Sequence, residues 1–173
     1  MPDPKELRKI ILKFEYEALM RYNNPIIEIE PLSGEAPYIE EYKITFNIST
    51  YIDEKTKRDK NIACLKVTTE YPHHPPFFIM LDKPAPFHLL FWENGRWNYG
   101  GWHSGESLVS FIYRAAKTLQ FCPEYNNLWS TCNHKAAQFW RENENNGIFS
   151  CDTQIIPEPE KPRESARTDI RDR

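Results

Sequence analysis

The segment Tyr71–Pro76 (YPHHPP) constrains the fold most, because it separates two strand-like runs. Residues 61–70 before it are rich in apolar and β-branched side chains, and residues 77–81 after it are apolar throughout. Its three prolines fix φ and remove backbone donors, so neither a helix nor a sheet ladder can continue through it. The sequence therefore predicts two neighbouring strands joined through an extended, proline-rich break.

The composition indicates a packed domain. Of the 173 residues, 40% are apolar and 14% aromatic, which argues against a disordered chain. Basic and acidic residues (22 and 25) are interspersed, so we expect no nucleic-acid partner. We find no apolar segment of signal or membrane length, and we expect a soluble, cytoplasmic protein with no membrane partner. The four scattered cysteines predict reduced thiols.

Hydrophobic periodicity places strands between helices. Residues 4–22 predict an amphipathic helix that buries Leu7, Ile10, Ile11, Phe14, Ala18 and Leu19. Strand patterns, which we expect to form a four-stranded antiparallel meander, cover residues 26–32, 41–51, 61–70 and 77–81. Helical patterns return over residues 108–121 and 132–143. Strands grouped together with helices at both ends predict an α+β fold.

The end of the chain differs in composition from the rest. From residue 157 onward the sequence is rich in proline and charge and has almost nothing to bury. We therefore predict one folded domain over residues 1–150 and a disordered tail over residues 151–173. Residues 87–102, between the last strand and the second helix, form an irregular aromatic segment that we call the flap.

The order of elements, together with the proline-rich break, resembles the ubiquitin-conjugating enzyme family over residues 4–146. The family's Tyr-Pro-x-x-Pro-Pro pattern is carried by Tyr71, Pro72, Pro75 and Pro76. In active members a His-Pro-Asn motif follows the fourth strand, and the nucleophilic Cys comes roughly ten residues later, ahead of a Trp. His88 matches the motif's His and Trp102 matches the Trp. The resemblance implies an N-terminal helix, a four-stranded antiparallel meander and C-terminal helices.

Two departures remove the catalytic groups that the resemblance would imply. Leu89 and Leu90 stand where the family has Pro and Asn, and Asn98 stands where it has the Cys. A conjugating enzyme needs a thiolate to accept the C-terminus of a ubiquitin-like protein. It also needs an amide side chain to support the oxyanion when a lysine attacks. Since Asn98 and Leu90 cannot do this, we predict a noncatalytic pseudo-enzyme, a binding module without a cofactor.

The resemblance also suggests where partners bind. In the family the N-terminal helix meets the activating enzyme, and here its outer surface carries Lys5, Arg8, Lys9 and Lys13. Exposed aromatic side chains of the flap would add a second anchor, since Trp and Tyr dominate interface hot spots. The candidates are Trp92, Trp97 and Tyr99. We expect a protein partner: a ubiquitin-like modifier, an activating enzyme or an active conjugating enzyme.

Two other functions stay open. Cys122 follows the second helix in the loop that borders the family's catalytic groove, so a thiolate there would make an atypical conjugating enzyme with a relocated nucleophile. His103, beside Trp102, is the candidate for a His-based acid or base. An RWD-like scaffold unrelated to ubiquitin also fits, because fold does not imply function.

The cysteines and histidines do not form a recognisable metal motif. The spacing C-x9-C-x-H-x16-C is that of no compact zinc finger, and its members are Cys122, Cys132, His134 and Cys151. His73 and His74 are adjacent in an extended segment, where neighbouring side chains point to opposite sides. We therefore expect no metal site.

Overall fold

The computed structural model describes residues 1–126, 130–149 and 152–161. Helix α1 spans Pro4–Tyr22, as predicted. The Asp3 side chain accepts a hydrogen bond from the Lys5 backbone N–H at 3.3 Å, and Pro4 occupies the first helical position. These two residues start the helix because they supply an acceptor for an end donor and a φ suited to the first turn.

Within the described residues six strands follow, of which four form the predicted antiparallel sheet. These four are β1 (Ile27–Glu35), β2 (Tyr38–Phe46), β5 (Asn61–Lys66) and β6 (Phe77–Met80), and they lie in that order across the sheet. Strands β3 (Thr50–Tyr51) and β4 (Lys57–Arg58) form a separate two-stranded ribbon. The strand predicted over residues 41–51 is therefore divided between the sheet and the ribbon. The Asn61 side-chain amide donates to the Ile48 carbonyl at 2.9 Å, so a side chain replaces a ladder partner there.

The register of the strands places one row of apolar side chains toward the core. Ile44 of β2 pairs with Ile29 of β1 and with Ala63 of β5, and all three are buried. Leu65 of β5 pairs in the same way with Phe78 of β6. Because strand side chains alternate in direction, this register directs the intervening polar residues away from the core.

Two further helices follow within the described ranges. Helix α2 (Leu108–Leu119) is capped by Ser107, whose hydroxyl accepts from the Ser110 N–H at 3.2 Å. It ends before the predicted residue 121 because Phe121 adopts a left-handed φ of 56°. A short 3-10 helix (Pro123–Tyr125) and helix α3 (His134–Asn143) follow. No helix within the described ranges is long and apolar enough to cross a membrane.

The buried face of α1 differs from the prediction. Its buried side chains are Leu12, Glu15 and Leu19. Three residues predicted to be buried are exposed: Leu7, Ile10 and Phe14. Apolar residues at helical spacing lie on both sides of this helix, so periodicity alone could not rank the two sides. Contacts with β2 and α2 decide which side is buried.

Residues 152–157 pack on the domain beyond the boundary that we predicted at residue 150. Ile156 is buried, and the Tyr22 hydroxyl donates to the Pro157 carbonyl at 2.8 Å. Asp152 accepts from the Ser49 N–H at 2.7 Å and from the Gln120 amide at 3.0 Å. The rest of the predicted tail, residues 162–173, lies outside the described residues.

Candidate functional site

His88 anchors the start of the flap to α2. Its side chain is fully buried, and its Nε2 lies 2.8 Å from the Thr118 carbonyl oxygen. Its Nδ1 accepts from the Leu90 N–H at 3.0 Å, so the ring is neutral with the proton on Nε2. Burial lowers the pKa of His88 to about 3. His88 therefore has a structural role, because both of its ring nitrogens bond within the domain.

The other end of the flap is fastened to the proline-rich break. Trp102 Nε1 donates to the Pro72 carbonyl at 2.9 Å, and the Trp102 and Tyr71 rings lie 5.9 Å apart. The Tyr71 hydroxyl donates to one carboxyl oxygen of Glu15, and the second oxygen accepts from the Leu108 N–H at 3.2 Å. These bonds join α1, the break, the flap and the start of α2.

Arg114 of α2 holds the middle of the flap. Its guanidinium makes a two-point salt bridge with Glu106, at 2.7 and 3.0 Å, and donates to the Tyr99 carbonyl at 2.9 Å. It also lies over the Trp97 ring, 5.6 Å from the centroid. Sequence reasoning did not identify Arg114, since nothing in its local sequence indicates a contact with residues 99 and 106.

Asn98 lines both of two adjoining grooves, as do Tyr99 and Gly100. Its side chain is half-buried, and its amide donates to the Ser130 carbonyl at 2.5 Å. Its backbone N–H donates to the Leu90 carbonyl at 2.8 Å, which brings the two departures from the family's motif together. The Leu90 side chain is buried. The match of this position to the family's amide stays a prediction of the resemblance.

The first groove, which we call the flap groove, has a volume of about 460 Å³. One wall is Pro76–Phe78, and the other consists of flap residues between Trp92 and Gly100. Trp92 is 42% exposed and offers the aromatic surface predicted for a partner. Trp97 is only 5% exposed, and its Nε1 donor has no acceptor within the described residues.

The second groove, which we call the loop groove, has a volume of about 310 Å³. It lies between the flap and the chain that follows α2. Its lining includes Tyr99 from the flap, Arg114 from α2, and Glu124 and Tyr125 from the 3-10 helix. Burial raises the pKa of Tyr125, and the carboxylate of Glu124 raises it further, so the phenol stays neutral at physiological pH.

The predicted alternative nucleophile lies beside the loop groove. Cys122 is a free, half-buried thiol three positions before Tyr125, and it is not among the residues that line either groove. Burial raises the pKa of both Cys64 and Cys132 to about 11. Those two thiols are therefore protonated at neutral pH and poor nucleophiles. Cys151 lies outside the described residues.

The four basic residues predicted on the outer surface of α1 are placed differently from one another. Arg8 is engaged inside the domain, where its guanidinium donates to the carbonyls of Thr68 and Val67 at 2.6 and 2.7 Å. Its remaining contact is an ion pair with Glu40 at 3.2 Å. Arg8 is therefore part of the internal structure, because its bonds connect α1 to the chain after β5. The residues that stay exposed are Lys5, Lys9 and Lys13.

The two histidines of the break and the histidine that follows the flap do not form a site. His73, His74 and His103 are exposed. Within the described ranges, no three His, Cys, Asp or Glu side chains are grouped so that they could hold a metal ion. The role of His103 as an acid or base stays a prediction.

Comparison with solved structures identifies the fold. A structure named Novel Ubiquitin-Conjugating Enzyme matches with a TM-score of 0.57 and 16% identity, over 82% of this chain and 88% of that chain. Ubc12 of S. cerevisiae matches with a TM-score of 0.57 and 19% identity, over 78% of this chain and 71% of that chain. This chain has a ubiquitin-conjugating-like fold.

This ubiquitin-conjugating-like fold confirms the architecture that the resemblance implied. No protein-family model and no curated protein matches the sequence. At identities of 16% and 19% the likeness concerns the fold, and the function has to be argued from the site itself.

Proposed function

We propose that the chain is a noncatalytic ubiquitin-conjugating-like module that holds a ubiquitin-like protein or an active conjugation partner. The observation that carries the proposal is that Asn98, which the resemblance matches to the family's Cys, lines both grooves. A carboxamide nitrogen is delocalised and cannot act as the nucleophile. The module would act by positioning a partner's thioester or acceptor lysine.

The residues that hold the flap in place support a binding role. His88, Trp102 and Arg114 each bond to backbone carbonyls, which keeps the flap in one position relative to α2 and the break. A wall that is held in place loses little conformational entropy when a partner binds. Trp92 is exposed on that wall, and side chains of its type contribute strongly to interfaces.

A charging assay tests the noncatalytic part of the proposal. The purified chain is incubated with ATP, a ubiquitin-activating enzyme and ubiquitin, and the products are separated with and without reductant. We expect no reductant-sensitive adduct, while an active conjugating enzyme is charged in a parallel reaction. An adduct on the wild-type chain would contradict the proposal.

A binding assay tests the positive part. Isotope-labelled ubiquitin is titrated with the chain, and chemical shifts are followed by NMR. We expect saturable shifts that weaken in Trp92→Ala, because that change removes an exposed aromatic side chain from the flap groove. Phe14→Ala, which removes an exposed aromatic side chain from α1, is the matched control and should leave the shifts unchanged. Absence of binding would favour the RWD-like scaffold.

Cys122 supports a second candidate function, an atypical conjugating enzyme. The supporting observation is its free thiol in the segment that leads into the wall of the loop groove. In this case the charging assay would give a reductant-sensitive adduct that is lost in Cys122→Ser. Cys132→Ser is the control, because the Cys132 thiol has a raised pKa and should not carry the adduct.

A further inference from the structure

The chain contains two Asn-Gly pairs, Asn94 before Gly95 and Asn146 before Gly147. Glycine has no side chain to shield its backbone nitrogen, and it tolerates the rotation that brings this nitrogen to the preceding carboxamide. An asparagine before glycine is therefore prone to spontaneous loss of ammonia when the local structure permits it. The two pairs lie in different surroundings, so we expect the same dipeptide to react differently at the two places.

The first pair is held in place within the flap. Gly95 is buried, its N–H donates to the Trp92 carbonyl at 2.9 Å, and its carbonyl accepts from the Met80 N–H at 2.9 Å. A Cβ at Gly95 would clash with the Met80 carbonyl oxygen, so β6 packs directly against this residue. The Asn94 side-chain oxygen accepts from the Arg96 N–H at 3.0 Å. The backbone rotation that loss of ammonia requires would break several of these bonds at once.

The second pair lies in the turn after α3, where Asn146 and Gly147 are both exposed. Gly147 has a positive φ of 73°, and no atom of the described residues lies within 4 Å of the position that a Cβ on it would occupy. Asn146 bonds to Asn143 at the end of α3, through its backbone N–H at 3.0 Å and its side-chain amide at 3.1 Å. Bonds that span one turn of an exposed segment open at little cost in free energy. This pair therefore has both the room and the freedom to react.

We propose that Asn146 is a site of spontaneous deamidation and that the fold protects Asn94 from the same reaction. The Gly147 nitrogen gives its proton to solvent base and bonds to Cγ of Asn146, and the side-chain amide leaves as ammonia. Water then opens the cyclic imide at either carbonyl, which leaves aspartate or isoaspartate at this position. Overall the reaction consumes one water molecule and releases one ammonia. The inference is independent of the proposed function.

The residues that follow this pair attach α3 to the rest of the domain. The Tyr51 hydroxyl donates to the Ile148 carbonyl at 3.0 Å. The Phe149 ring centroid lies 4.5 Å from that of Trp140 and 4.7 Å from that of Phe121. Isoaspartate adds a methylene to the backbone just before these contacts, and either product adds a negative charge near the C-terminal end of α3, where the helix dipole disfavours it. We therefore expect deamidation to loosen the attachment of α3 to the ribbon and to the end of α2.

Peptide mapping of the whole chain tests the site. The folded protein is incubated in mildly alkaline buffer made with heavy-oxygen water, so that each hydrolysed imide carries the label, and tryptic peptides are analysed by mass spectrometry. Asn94 and Asn146 fall in different peptides, because Arg96 and Arg141 lie between them. We expect labelling of Asn146 to be at least about tenfold faster than that of Asn94, which corresponds to about 1.4 kcal/mol. Equal rates at the two positions of the folded chain would overturn the inference.

The unfolded chain is the matched control for the role of the structure. In denaturant both pairs lose their tertiary contacts, so the two rates should become similar. A difference of the same size in denaturant would show that the fold does not protect Asn94. Asn146→Gln should abolish labelling at this position, because its longer side chain closes the ring more slowly. Asn145→Gln, at the exposed neighbour, should leave the labelling of Asn146 unchanged.

Thermal unfolding tests the consequence for α3. Wild-type protein that is aged until Asn146 is converted should unfold about 2–4 °C below fresh protein. Asn146→Gln protein that is aged in parallel should keep its unfolding temperature. The same unfolding temperature in aged and fresh wild-type protein would contradict the expected loosening of α3.

Discussion

The two sides of the flap differ in how completely their polar atoms are paired. On the inner side both nitrogens of His88 are used, and the Trp102 indole N–H has a carbonyl acceptor. Among the residues that line the flap groove, Trp97 has a buried Nε1 without an acceptor within the described residues, and Arg96 has no ion-pair partner there. Full pairing is what a structural anchor requires, whereas a buried donor without an acceptor lowers stability locally.

The difference shows which parts of the family's pattern this chain keeps. His88 and Trp102, which match the pattern, form internal bonds that hold the flap. Asn98 and Leu90 are the positions at which the resemblance predicts a departure from it. Under the proposed function the chain would lack the groups that perform chemistry and still keep the fold, because the flap is held by other residues.

The largest expected effect comes from breaking the inner anchor. His88→Ala would leave the Leu90 N–H and the Thr118 carbonyl without their buried partner and open a cavity, which should cost about 3 kcal/mol. Urea denaturation measures the change. His103→Ala, at an exposed histidine of the same region, should stay within about 0.5 kcal/mol of the wild type. Equal effects of the two variants would show that His88 is not an anchor.

The junction between α1 and α2 should give stability a distinctive pH dependence. Burial raises the pKa of Glu15 above its ordinary value of 4.5, against the opposing effect of hydrogen bonds from Tyr71 and Leu108. The folded chain therefore binds this proton more tightly, and the free energy of unfolding should fall as pH rises above 4.5. The slope for one proton is at most about 1.4 kcal/mol per pH unit.

Glu15→Gln tests this prediction, because it removes the titrating group and should flatten the dependence above pH 4.5. The free energy of unfolding is measured by urea denaturation across a pH series. Glu17→Gln changes an exposed carboxylate of the same helix and should keep the wild-type slope. An unchanged slope in Glu15→Gln would assign the pH dependence to another group.

A smaller effect is expected where the flap meets the break. Trp102→Phe keeps an aromatic ring beside Tyr71 but removes the bond to the Pro72 carbonyl, which should cost about 1 kcal/mol. Trp92→Phe serves as the control, because the Trp92 side chain is exposed and lies at the opposite end of the flap from this bond. If both variants lose the same stability, the Trp102 bond contributes nothing to holding the flap.

The smallest effect on stability is expected on the groove side. Trp92→Ala removes a side chain that is 42% exposed and should change the free energy of unfolding by no more than about 0.5 kcal/mol. The same variant should weaken the binding of ubiquitin, so stability and binding are affected separately. A large loss of stability would instead place Trp92 with the anchors.

Much of the fold could be predicted because its signals are local. Proline chemistry in Tyr71–Pro76 and the strand-like composition of the flanking runs indicated neighbouring strands, and β5 and β6 are such strands. The N-cap residue and the first proline of α1 are also local signals of this kind.

Less of the candidate site could be predicted from the sequence. Trp92, Trp97 and Tyr99 were equivalent candidates in the sequence, yet only Trp92 exposes a large part of its side chain. Arg114 carried no signal, because its partners Glu106 and Tyr99 lie on another part of the chain. Arg8 looked like part of an outer basic surface, although it bonds to carbonyls about sixty positions away.

By itself the sequence determined the order of the main helices and sheet strands and the proline-rich break. These properties depend on residue identity and on local periodicity. Only the tertiary structure decided which side of α1 is buried, that Asn98 lines two grooves, and that Trp97 Nε1 lacks an acceptor within the described residues. The reason is that burial and hydrogen-bond pairing depend on contacts between residues that are distant along the chain.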